Sequence, residues 1–191
     1  MPKENIERAI AKGAGADADA SSFETVVYEG YGPEGVAVLV EAVTDNRNRT
    51  ASEVRHAFTK HGGNLGTTGA VAWQFERRGV VLVEAEGVDE DELVVAVAEA
   101  GADDVEIDGS SFVISSAPEL TSAVREAIEA GGFVVESVEL AMIPKTTVAI
   151  SDEATARRVV RLIEGLEETD DVQDVYANFD IPEAVLEAVA S

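Results

Sequence analysis

The chain contains no cysteine, so disulfide bonds and thiolate metal sites are excluded, while nothing follows about compartment. No apolar run approaches the roughly 20 residues that cross a bilayer as a helix. The opening Met1-Pro2-Lys3-Glu4-Asn5 has no apolar stretch of the secretory kind. A cytoplasmic location is therefore expected, with no membrane partner. Proline and glycine stand at ordinary levels, and 46% of the 191 residues are hydrophobic, which argues against a disordered or fibrous chain. That length permits one large domain or two small ones. Basic residues are the scarce class. Fourteen of them face 38 acidic residues, for a net charge of −24. Taken whole, such a surface repels phosphates.

Charge acts locally, however, because the Debye length is about 8 Å at physiological salt. Between Asp45 and Arg78 six basic residues (Arg47, Arg49, Arg55, Lys60, Arg77, Arg78) meet three acidic ones (Asp45, Glu53, Glu76). This window is basic within a strongly acidic remainder. The remainder suits basic protein partners.

Along the chain, Asn5–Lys12 reads as a short helix with Ile6, Ala9 and Ile10 on one face, followed by a small-residue linker to Ser22. Phe23–Glu29 and Val36–Val43 read as strands around Gly30-Tyr31-Gly32-Pro33-Glu34-Gly35. A helix is expected over Thr50–His61, with Thr50 and Glu53 at capping-box spacing and Val54, Ala57 and Phe58 inward. Val71, Trp73 and Phe75 alternate with polar or small neighbours, which predicts a half-buried strand with Trp73 and Phe75 in the core, over the alternative that the two rings stack on bases. From Gly79 the order becomes strand, helix, two strands joined at Asp108-Gly109, helix, strand, ending near Met142. That is β-α-β-β-α-β, the ferredoxin-like arrangement. Beyond Pro144, an extended Thr147–Ile150, a helix Glu153–Leu166 and a strand Val172–Asn178 are too little to bury both faces alone, so they should return to the first sheet. The expected architecture is α/β: residues 1–22 as a residual helix and linker, a discontinuous domain of 23–78 plus 145–191, and an inserted ferredoxin-like domain of 79–144.

No catalytic constellation is visible. His56 and His61 are five apart on one helix, roughly 140° around its axis, and cannot share a metal. Asp89-Glu90-Asp91-Glu92 falls in a first helical turn, where acidic side chains complement the dipole. Ser52 and His56 lack a third group and an oxyanion hole. The glycines of Gly62-Gly63-Asn64-Leu65-Gly66 follow a helix, whereas phosphate loops precede one. The expectation is a non-enzyme with no cofactor, metal or small-molecule substrate.

What the window offers is a binding surface. Thr44-Asp45-Asn46-Arg47-Asn48-Arg49 leads into a helix N-terminus, where arginines oppose the dipole by a few tenths of a kcal/mol each, on the order of a surface effect. A phosphate there reverses the sign, because free N–H groups and guanidinium forks then converge on it. Ser52 and Arg55 share the outward helix face, and Lys60 and Asn64 mark its far end. Arg47, Arg49, Ser52, Arg55, Lys60 and Asn64 are the candidate nucleic-acid-binding residues. The competing account is that Arg47 and Arg49 pair with nearby acids.

The wording of this stretch is specific. Thr44-Asp45-Asn46-Arg47-Asn48-Arg49-Thr50, Val54-Arg55, Phe58, Lys60 and His61-Gly62-Gly63-Asn64-Leu65-Gly66 closely resemble the YebC/PmpR family. Met1–Ile10 and Tyr28-Glu29-Gly30-Tyr31-Gly32-Pro33 are similar to further family signatures, and the resemblance runs end to end. It implies two α/β domains, the last inserted into the middle one, after a basic helical N-terminal domain. Family members carry a Lys/Arg-rich segment before Met-Pro-Lys, so this chain is expected to be either a short form of the family or one truncated by its start-site assignment. The resemblance implies a DNA-binding transcriptional regulator, or alternatively a translational activator acting on the ribosome or its RNA, and no enzymatic activity.

Overall fold

A computed structural model describes residues 22–191, so the expected helix Asn5–Lys12 and its linker lie outside the described residues. The chain divides into two compact units, one running to Phe75 and resuming at Pro144–Ser191, the other Glu76–Ile143. Both are layers of helix on sheet, as an α/β sequence requires.

In the first unit, β1 (Glu24–Tyr31) and β2 (Ala37–Thr44) form an antiparallel hairpin in register from Glu24↔Thr44 to Tyr31↔Ala37. The connecting 3₁₀ turn Pro33–Gly35 places Glu34 at φ 58° and Gly35 at φ 76°. β2 is an interior strand, and its opening Ala37-Val38-Leu39-Val40 is apolar on both faces and buried throughout. On its far side lies β9 (Val172–Ala177), antiparallel; β3 (Asn64–Leu65) pairs with β1, for a sheet order β3-β1-β2-β9. Two helices, α1 (Arg47–Lys60) and α4 (Glu153–Glu167), pack against each other and onto this sheet. Their Val54, Phe58, Val159, Leu162 and Leu166 join Val38 and Val40 in one core. Gly30 is required where α1 crosses β1, since a Cβ would lie 2.7 Å from the Phe58 ring and from the Asn64 carbonyl.

The inserted unit leaves and returns at neighbouring points. The Lys145 N–H donates to the Gln74 carbonyl at 2.7 Å, and buried Asn178 ties the same corner together. The Asn178 Oδ1 accepts from the Ala37 N–H at 2.7 Å and its Nδ2 donates to Gln74 Oε1 at 3.3 Å. A parallel pair, β8 (Val148–Ala149) with β10 (Phe179–Asp180), and a terminal helix, α5 (Glu183–Ala190), complete the first unit. Neither β10 nor α5 was visible as periodicity, since two residues carry no period and α5 buries none of its residues fully.

In the second unit, β4 (Phe75–Glu84), α2 (Glu90–Ala98), β5 (Ala102–Asp108), β6 (Ser111–Ser116), α3 (Thr121–Ala130) and β7 (Val135–Pro144) follow the β-α-β-β-α-β order. The sheet order is β5-β6-β4-β7, with β6 antiparallel to both neighbours. Gly109, at φ 59°, makes the tight β5–β6 turn. Asp89 caps α2 by accepting the Glu92 N–H, so the acidic run at 89–92 is a capped, dipole-matched helix start.

Two local expectations are corrected. The helix after β2 begins at Arg47, not Thr50, because Asn46 is its cap: the Asn46 Oδ1 accepts from the Arg49 N–H at 3.1 Å. The expected strand through Trp73 is a 3₁₀ turn, Ala72–Gln74, with β4 starting only at Phe75. Trp73 is 67% exposed and not in the core.

Candidate nucleic-acid interface

Because α1 starts at Arg47, Arg47 and Arg49 stand in its first turn and not in a loop. The two then diverge. Arg49 turns back, and one guanidinium nitrogen reaches Asp45 Oδ1 and Asp171 Oδ2, both at 2.9 Å. These two carboxylates, Asp171 foremost, push the guanidinium further above its ordinary range. Arg47 stays outward, its side chain 64% exposed, with Nε 3.6 Å from Glu24 Oε1. An exposed pair at that distance contributes little and is easily exchanged for another anion.

Asp171 is the centre of the α1 start. It is buried, and its Oδ2 lies 2.7 Å from the Thr50 hydroxyl and 3.3 Å from that of Thr44. The Thr44 and Thr50 oxygens are 2.7 Å apart, and the Thr44 oxygen also accepts the Asn46 N–H at 2.9 Å. With Thr50 donating to the carboxylate, Thr44 can donate to Thr50, and every proton has one acceptor. Thr50, expected at the cap, is thus a buried link inside the helix.

The rest of α1 presents its solvent face. Ser52, Arg55, His56, Thr59 and Lys60 are exposed, opposite buried Val54, Ala57 and Phe58. Arg55 and Lys60 form no ion pair among the described residues. Asn64 lies just beyond the helix on edge strand β3, also exposed. Five of the six candidates, Arg47, Ser52, Arg55, Lys60 and Asn64, are accessible, and Arg49 is drawn into structure.

Two neighbours escaped the sequence reading. Arg161 of α4 reaches the α1 C-terminus, where burial first, then Lys60 and Arg161, hold the His61 imidazole below its ordinary value. A shallow groove of about 550 Å³ opens here, lined by Glu53, His56, Lys60 and His61 and by Glu168 and Asp170. No group of three metal-ligating side chains occurs among the described residues.

The other neighbour is Glu29. Its buried carboxylate accepts the N–H groups of Gly69, Val71 and Ala72 at 2.7, 2.8 and 2.7 Å. Burial alone would raise this carboxyl, but the three N–H bonds outweigh it and hold it below its ordinary value. This grip winds 69–74 into a turn and defeats the strand suggested by alternation. The signal was an acid directly after an apolar run, Val26-Val27-Tyr28-Glu29.

The fold and these residues define an α/β protein built from a split unit carrying a basic helix face and an acidic ferredoxin-like insertion. A family model described as the TACO1/YebC second and third domain matches residues 23–179. A relative from Rubrobacter xylanophilus, named "Probable transcriptional regulatory protein", is 55% identical over 190 residues, covering 100% of this chain and 76% of its own length. One from Aquifex aeolicus with the same name is 52% identical over 189 residues, covering 99% of this chain and 76% of its own. The crystal structure of a conserved hypothetical protein from Aquifex aeolicus superposes with a TM-score of 0.81 at 53% identity, over 96% of this chain and 75% of that one. The chain belongs to the TACO1/YebC family.

Proposed function

We propose that this chain regulates gene expression by binding nucleic acid through the solvent face of α1, as a DNA-directed transcriptional regulator and not as an enzyme. The observation that carries the reading is Arg55 and Lys60, outward and without ion pairs among the described residues, on a protein of net charge −24. In such a chain an arginine or lysine has abundant acidic partners, and leaving both free keeps them available for phosphates. Arg47 at the helix start, Ser52 between and Asn64 beyond extend this set over roughly 20 Å of helix. The names of its relatives support a transcriptional role. The acidic inserted unit suits basic protein partners, and the site of action is the cytoplasm.

A second reading, action on ribosomal RNA as a translation factor, is favoured by one feature. α1 lies against α4 and the sheet, with Val54, Ala57 and Phe58 inward, and offers a shallow arc instead of a projecting recognition helix. That shape reads phosphate backbone and folded RNA more readily than base edges in a major groove. Competition separates the two. With labelled duplex DNA bound at low salt, displacement only by other duplex DNA upholds the transcriptional reading. Displacement by ribosomal RNA at far lower concentration replaces it with the second.

A further inference from the structure

We infer that Trp73 is a stacking platform for an unpaired nucleic-acid base. The inference rests on the nucleic-acid reading above and adds what that reading leaves open, namely that the partner displays single-stranded or looped bases.

Trp73 is the sole tryptophan of the chain and is 67% exposed. Large exposed aromatics cost solubility, and this one is held in place from several sides. Its Nε1 donates to the Ala70 carbonyl at 3.1 Å, and the Tyr31 hydroxyl donates to the same oxygen at 3.1 Å. Glu29 grips the N–H groups at 69, 71 and 72, and the carbonyl of the next residue, Gln74, accepts the Lys145 N–H. The single polar atom of the indole is therefore satisfied inside the turn, and what remains for a ligand is ring surface. A ring ordered in advance loses little entropy on binding.

The stretch of chain that leads to the ring is poor in acid. From Val54 to Phe75 there is no acidic residue at all, in a chain that carries 38. The carboxylate bound into the turn, Glu29, is buried and spent on three N–H groups. Along the chain the turn follows α1 and β3, with exposed Asn64 between them. Lys145, whose N–H meets the Gln74 carbonyl, is exposed and forms no ion pair among the described residues. Paired bases hide their faces in the stack, while unpaired bases present them to aromatic side chains without regard to sequence. A ring beside a positive track is the arrangement single-stranded binders use.

Because the chain has one tryptophan, its fluorescence reads the site directly. The whole chain is titrated with single-stranded oligo(A) RNA, with a duplex of equal length, and with polyphosphate, while the anisotropy of a labelled strand reports binding independently. Saturable quenching by oligo(A), and none by duplex or polyphosphate, is expected. Trp73→Ala should weaken oligo(A) binding about ten-fold, and Trp73→Phe should retain most of it. Circular dichroism of both variants should match the parent. Saturating oligo(A) with a silent tryptophan, or unchanged affinity in Trp73→Ala, overturns the assignment of Trp73 alone and leaves the exposed ring to a protein partner. Equal quenching by polyphosphate also overturns it, since that chain has no bases. No binding of either strand or duplex at low salt overturns this inference and the nucleic-acid reading together.

Discussion

Asp171 and Glu29 are single carboxylates that each organise a segment remote in sequence, and both escaped the sequence reading for one reason. Even where an acid stands beside apolar residues, as Glu29 does, the sequence does not say which donors it meets, and the fold supplies them 121 or 40 residues away. Truncating Arg49 to Ala leaves Asp171 without its charged partner. Because the Arg49 side chain is 45% exposed, the expected cost is about 1–2 kcal/mol, below that of a fully buried pair. Urea denaturation should show it, and an unchanged midpoint would mean that Arg49 does not stabilise the α1 start. The same reasoning makes a joint Arg47 and Arg49 truncation a poor probe of binding. Glu29→Gln keeps shape but turns an amide donor toward N–H donors, for about 2–3 kcal/mol. With the Glu29 carboxyl held below its ordinary value, its stabilisation is full above that value of 4.5 and is lost as pH falls through the lowered folded value. Acid should therefore destabilise the parent more than Glu29→Gln, and parallel acid dependence in the two would contradict the sign.

At the scale of elements, most of the longer strands, the helices over 90–130 and α4 were legible because apolar residues recur along them over several turns or pleats. Helix starts were less so. Two residues at α1 could cap, Asn46 and Thr50, and Thr50 had the better motif with Glu53 three residues on. The tertiary link from Thr50 to Asp171 took its hydroxyl into the core, and Asn46 was left to cap. Asn46→Ala should accordingly cost about 1 kcal/mol, measured as a fall in unfolding midpoint. A neutral result would mean the Asn46 side chain adds nothing to the helix start. The strand expected at Val71–Phe75 failed for a similar reason. Alternation over five residues is weak, and three hydrogen bonds from one carboxylate decide the backbone instead.

Across the whole molecule, the sequence conveyed the charge contrast and the α/β plan, and Ser52, Arg55 and Lys60 could be placed on the outward face of α1 by counting turns. What it could not convey was which arginines remain available, since that depends on Asp171, 122 residues beyond Arg49, arriving at the head of β9. The central claim is that Arg55 and Lys60 meet phosphates on a chain that otherwise repels them. Its most direct test is the salt dependence of nucleic-acid affinity for the parent and for the Arg55→Ala, Lys60→Ala double variant, with fold checked by circular dichroism. Log affinity should fall linearly with log salt in the parent, and the double variant should bind more weakly, with its slope shallower by about two. Equal slopes and equal affinities in a folded double variant would contradict the claim and place the binding surface elsewhere.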